Sequence, residues 1–105
     1  MNEIHRLINI IETIREKITD DADVVWSGYG SALELKEDID RDLIELKQGN
    51  LDILDKFMDH FLPTAAFQEI AITNGWDSEF LDFAEEYEQL YKKTAQQAGG
   101  DNKLS

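Results

Sequence analysis

A chain of 105 residues is long enough for one hydrophobic core, and a 42% apolar share with one proline and six glycines suits a globular domain rather than a disordered one. Its 23 acidic residues against 10 basic ones leave a net charge of −13 at pH 7, a field that repels nucleic acid and anionic membranes. No apolar run approaches the roughly 20 residues that cross a bilayer, Glu3, Glu12 and Glu16 break any signal-peptide pattern, and the absence of cysteine excludes disulfides and thiolate chemistry.

The first predicted helix is marked by Ile4, Leu7, Ile11, Ile14 and Ile18, spaced three and four apart so that they share one face. The stripe lasts just over two heptads, so it is expected to pack within a monomer, the alternative being a dimer through residues 4–18. Asp20, Asp21 and Asp23 end the pattern. Residues 24–30 then read as an ordered loop whose glycines permit tight turns, with Trp26 and Tyr29 folded back onto the core.

Ser31 followed by Glu34 is a capping-box pattern, in which each side chain can satisfy a free backbone N–H, and it opens a second helix with Leu35, Ile39, Leu43 and Leu46 buried. Gly49 stops this helix and Asn50 is placed to cap the next, which carries Leu51, Leu54, Phe57, Met58, Phe61 and Leu62. Pro63 breaks the third helix, and Thr64 caps a short fourth with Phe67, Ile70 and Ala71 inward, ending at Asn74-Gly75. After Trp76, Asp77 or Ser78 caps a fifth helix whose face comprises Phe80, Leu81, Phe83, Ala84, Tyr87, Leu90 and Tyr91. Beyond residue 95 the apolar pattern vanishes. The chain therefore reads as one all-α domain over residues 1–95, a compact bundle of about five helices with short turns, followed by a flexible tail over residues 96–105.

The segment Gln68-Glu69-Ile70-Ala71-Ile72-Thr73-Asn74-Gly75-Trp76-Asp77-Ser78-Glu79-Phe80 resembles the helix-turn-helix of arabinose-type transcription activators: a small Ala71 for close crossing, Gly75 for the turn and Trp76 as a wedge. The resemblance implies that geometry between the last two helices but not the activity. A recognition helix must meet phosphates, and residues 77–91 hold six carboxylates with no Lys or Arg. Separately, Trp26-Ser27-x-Tyr29, Pro63-Thr64 with Gln68-Glu69, and Asn74-Gly75-Trp76 resemble short uncharacterised bacterial helical proteins, which implies a helical fold and a bacterial origin and carries no activity or site.

His5 and His60 lie on different helices with no neighbouring nucleophile, so no catalytic residue is assigned. Asp52, Asp55 and Asp59 share a helix face but lack the Glu-x-x-His pairing of bundle metal sites and the offsets of a calcium loop, so no metal ligand is assigned. Residues 27–31 offer backbone N–H groups to an anion but no Lys or Arg, and no cofactor is expected.

What remains is acidic surface. The expected function is a cytoplasmic protein-interaction domain, such as an immunity, antitoxin or inhibitor protein that covers a basic partner. The alternatives are a nucleic-acid mimic that blocks a DNA- or RNA-binding protein and, third, an enzyme. The expected docking residues are Asp77, Glu79, Asp82, Glu85 and Glu86, with Tyr87 and Tyr91 as aromatic anchors. Crowding of like charges is further expected to raise carboxylate pKa values in the folded state.

Overall fold

The computed structural model describes residues 3–25, 27–62 and 65–103, with residues 95–103 described by their backbone alone. The expected placement of Trp26, the Pro63 break and the Thr64 cap lie outside the described residues. All five elements are helices: α1 (Glu3–Lys17), α2 (Ala32–Lys47), α3 (Ile53–Phe61), α4 (Ala66–Asn74) and α5 (Asp77–Lys103). There is no strand among the described residues.

The cap chemistry is local, and most of it appears where the sequence places it. The Ser31 side chain accepts the Glu34 N–H at 3.1 Å, and the Glu34 carboxylate accepts the Gly30 N–H at 2.8 Å, one residue earlier than a standard capping box. Gly49 ends α2 with a φ of 99°, and Gly75 ends α4 with a φ of 85°. At each site the next residue's N–H reaches back to close the last turn, Asn50 to the Glu45 carbonyl and Trp76 to the Ala71 carbonyl. Asn50 does not cap α3. Its side chain donates to Glu45 instead, and α3 begins after Asp52 with no side-chain cap. The α5 backbone is helical through Lys103, past the end of the apolar pattern.

The core is built around aromatic rings from α3, α4 and α5. Phe61 lies 4.4 Å from Tyr87 and 5.9 Å from Phe80, both nearly parallel, and meets Phe67 edge-on at 5.2 Å. Phe57, Phe61, Phe67, Ile70, Trp76 and Phe80 are buried as the sequence predicts, while Phe83 is only partly covered. The α1 stripe is also spent within the monomer: Leu7, Ile11, Ile14 and Ile18 are fully buried. Three ion pairs, Lys17 with Glu79, Arg6 with Glu86 and Lys93 with Glu3, ascend α1 as they descend α5, so the two helices run antiparallel. A bidentate Arg15–Asp40 pair ties α1 to α2.

The loop before α2 is fastened at both ends. Asp23 and Asn74 exchange two hydrogen bonds, from the Asp23 N–H to the Asn74 side chain and from that side chain to the Asp23 carbonyl. At the other end the Glu34 carboxylate already occupies the Gly30 N–H. The Ser27 and Tyr29 N–H groups are likewise bonded within the loop, to the Val24 carbonyl and the Ser27 hydroxyl. The anion cradle considered for residues 27–31 is therefore filled in part by the protein's own carboxylate.

Candidate interaction surface

Two arrangements concentrate charge: a polar cluster between α2 and α3, and the outer face of α5.

The cluster follows from two helical pairs four residues apart, Asp38 with Asp42 on α2 and Lys56 with His60 on α3, each placing two groups on one face. The Lys56 ammonium lies 3.1 Å from Asp38 and 2.8 Å from Asp42. Asp38 also accepts from Arg41 at 2.9 Å and from the Tyr29 hydroxyl at 2.6 Å. Burial pushes the Asp38 carboxyl upward, but the hydrogen bonds from Tyr29, Lys56 and Arg41 together outweigh it and hold the group below its ordinary range. At this one carboxylate the donors outweigh the crowding that is expected, on balance, to raise carboxylate pKa values. Asp42 is 4% exposed, so Lys56 compensates a buried charge. The Tyr29 hydroxyl is held above its usual range, first by burial and then by its bond to Asp38.

A groove of about 660 Å³ lies between α1 and the end of α2, with Ile4, Ile8, Leu46 and Leu51 in its walls and the Glu12–Lys47 pair at its edge. Among the described residues no three His, Asp or Glu side chains converge closely enough to hold a metal ion.

On α5 the structure separates the expected docking residues. Tyr87 is fully buried and its hydroxyl donates to the Leu54 carbonyl at 3.0 Å, so it offers no surface to a partner. The Tyr87 ring faces inward because it lies on the same stripe as Phe80 and Leu90, which the rest of the bundle covers. Tyr91 is partly buried and donates to Asp55. Glu79 is paired with Lys17 at 2.5 Å and Glu86 with Arg6, so the helix is not uncompensated as its own sequence suggests. Asp77, Asp82 and Glu85 remain exposed with no ion pair among the described residues. Beside them is a residue the sequence reading assigned to the inward face: Leu81 is 59% exposed, one turn after Asp77 and one turn before Glu85. Its spacing carries the signal, since it falls outside the stripe Phe80, Tyr87, Leu90 and Thr94 that the bundle buries.

The cations explain why this face stands out. Every lysine and arginine whose side chain is described is held in an ion pair within the protein. The charge left without a partner is therefore negative. No described helix is long and apolar enough to cross a membrane. No protein-family model matches this chain, and neither a curated protein nor a solved structure is matched by it.

Proposed function

We propose that this protein is an acidic interaction domain that docks a basic partner protein on the outer face of α5, with Leu81 as the apolar contact and Asp77, Asp82 and Glu85 around it. The observation that carries this reading is the exhaustion, in internal ion pairs, of the cations whose side chains are described, beside a face that keeps three carboxylates and one exposed leucine without ion-pair partners among the described residues. Complementary charge accelerates encounter and fixes orientation, while a desolvated apolar contact slows release. Leu81 replaces Tyr87 in the second role, and Glu79 and Glu86 join the first only by giving up Lys17 and Arg6.

The test compares wild type with a neutralised Asp77→Asn, Asp82→Asn, Glu85→Gln variant and with Leu81→Ser as baits in cells of the source organism. The expected result is a basic protein that both variants lose, with the triple variant slowing association and Leu81→Ser hastening dissociation of the purified pair. Recovery of the same protein in equal amount by all three baits would remove this face. Displacement of the partner by duplex DNA or by RNA would assign the protein to nucleic-acid mimicry instead.

A further inference from the structure

Asn74-Gly75 is the single Asn-Gly pair in the chain. A glycine in second place leaves its backbone nitrogen unshielded, so that nitrogen can attack the side-chain amide before it. A bond forms from the Gly75 nitrogen to the Asn74 Cγ, the Cγ–Nδ2 bond breaks, and ammonia leaves carrying the Gly75 amide proton. The cyclic imide then takes up water at either carbonyl and opens to aspartate or isoaspartate. The net change consumes water and releases ammonia, so no enzyme, metal or oxidant is needed. Asn9 precedes Ile10 and Asn50 precedes Leu51, whose bulky side chains hinder the same attack.

The fold holds both reacting groups apart. Asn74 is exposed, so water reaches it, but its side chain is tied by three hydrogen bonds. Its Nδ2 donates to the Ile70 carbonyl at 2.9 Å and to the Asp23 carbonyl at 3.0 Å, and its Oδ1 accepts the Asp23 N–H at 3.2 Å. An amide matches this set because it carries two donors and an acceptor on one group. The Gly75 N–H points the other way, to the Ala71 and Ile72 carbonyls that close α4. Attack requires the side chain to swing back to its own backbone, which breaks all three bonds. Two of those bonds run to Asp23, 51 residues earlier in the chain, so the restraint is tertiary and the local sequence does not supply it.

We propose that Asn74 is a self-modification site gated by Asp23: held, the amide is inert; released, it converts to aspartate or isoaspartate, and the fastening of the loop before α2 does not re-form. A carboxylate at this position still accepts the Asp23 N–H. It has no proton for the Asp23 and Ile70 carbonyls, and it sets negative charge against both. Isoaspartate also lengthens the backbone by one carbon at the end of α4, just before the Gly75 stop. Conversion therefore accumulates with the time the Asp23–Asn74 contact spends open.

The test incubates the protein in warm, mildly alkaline buffer, folded and in urea, and scores the peptide holding Asn74 by mass spectrometry, aspartate and isoaspartate together. Asp23→Pro, which lacks the N–H that Asn74 accepts, is incubated beside it after circular dichroism has shown its helices intact. The expected result is conversion of Asn74 at least about tenfold faster in urea than in the folded protein, with folded Asp23→Pro well above folded wild type. Asn9 and Asn50 should stay unconverted throughout. If Asp23→Pro does not fold, Asp23→Gly takes its place: it removes the Oδ1 bond to the Val25 N–H and loosens the same backbone. The loss of fastening is read in Asn74→Asp, where the Ser27 amide, bonded within the loop to the Val24 carbonyl, should exchange about tenfold faster than in wild type. Equal conversion in folded and denatured wild type, or a folded Asp23 variant that converts no faster than wild type, overturns the gate. Unchanged Ser27 exchange in Asn74→Asp overturns the consequence.

Discussion

Removing the Tyr87 hydroxyl would leave the Leu54 carbonyl of α3 without its buried donor while the ring keeps its place against Phe61. Tyr87→Phe is therefore expected to lower stability by about 1 kcal/mol in chemical denaturation, with the slope unchanged. His60 sets a pH dependence of definite sign. Its folded pKa lies below the ordinary 6.5, so the unfolded chain takes up the proton first as pH falls. The stability it contributes is complete above about pH 6.5 and is lost as pH falls toward the folded value. Wild type should thus lose stability between pH 7 and pH 5 relative to His60→Phe when both are melted across that range. Asp38 acts in the same sense lower down: its contribution is present above about pH 3.9 and disappears as pH falls through its depressed folded value.

Helix periods and end signals act over a few residues, and for that reason the five helices, the Ser31 cap and the Gly49 and Gly75 stops were all legible in the sequence. Gly75 is the most exacting of these. Its φ of 85° disfavours any side chain even though nothing crowds the space a Cβ would take. Gly75→Ala should cost about 1–2 kcal/mol by thermal melting through backbone strain alone. The site was less legible because its decisive partners come from other helices. Asp77, Asp82 and Glu85 could be named from α5 itself. The neutralisation of Glu79 by Lys17 and of Glu86 by Arg6 depends on how α1 docks, which no local pattern encodes. Tyr87 was misplaced for a related reason. A face with apolar residues at 80, 81, 83, 84, 87, 90 and 91 is wider than one neighbour can cover, and only packing decides that Leu81 is the residue left outside.

For the whole molecule the balance of charge favours salt. Exposed ion pairs contribute about 0–1 kcal/mol each and weaken when screened, but the net charge of −13 adds repulsion throughout the fold. Since the cations whose side chains are described are all paired, added ions chiefly screen the remaining carboxylates from one another. The melting temperature at pH 7 should therefore rise from low to moderate ionic strength. A gain of about 1 kcal/mol corresponds to roughly 4–8 °C for a domain of this size. The same addition of salt should slow association with a basic partner, so fold and encounter respond in opposite directions.

The antiparallel seating of α1 on α5 also bears on how the chain is made. Residues 3–17 leave the ribosome well before residues 77–94, yet α1, which α2 meets on one side, packs most extensively against α5. Until α5 arrives much of the isoleucine stripe stays wet, and a helix of fifteen residues is marginal by itself. Closing the intervening loop adds an entropic cost that grows only slowly with its length, so the delay is set by synthesis rather than by search. α1 is thus made early but becomes secure late, and a nascent chain stalled before α5 presents part of its isoleucine stripe to any chaperone waiting at the exit.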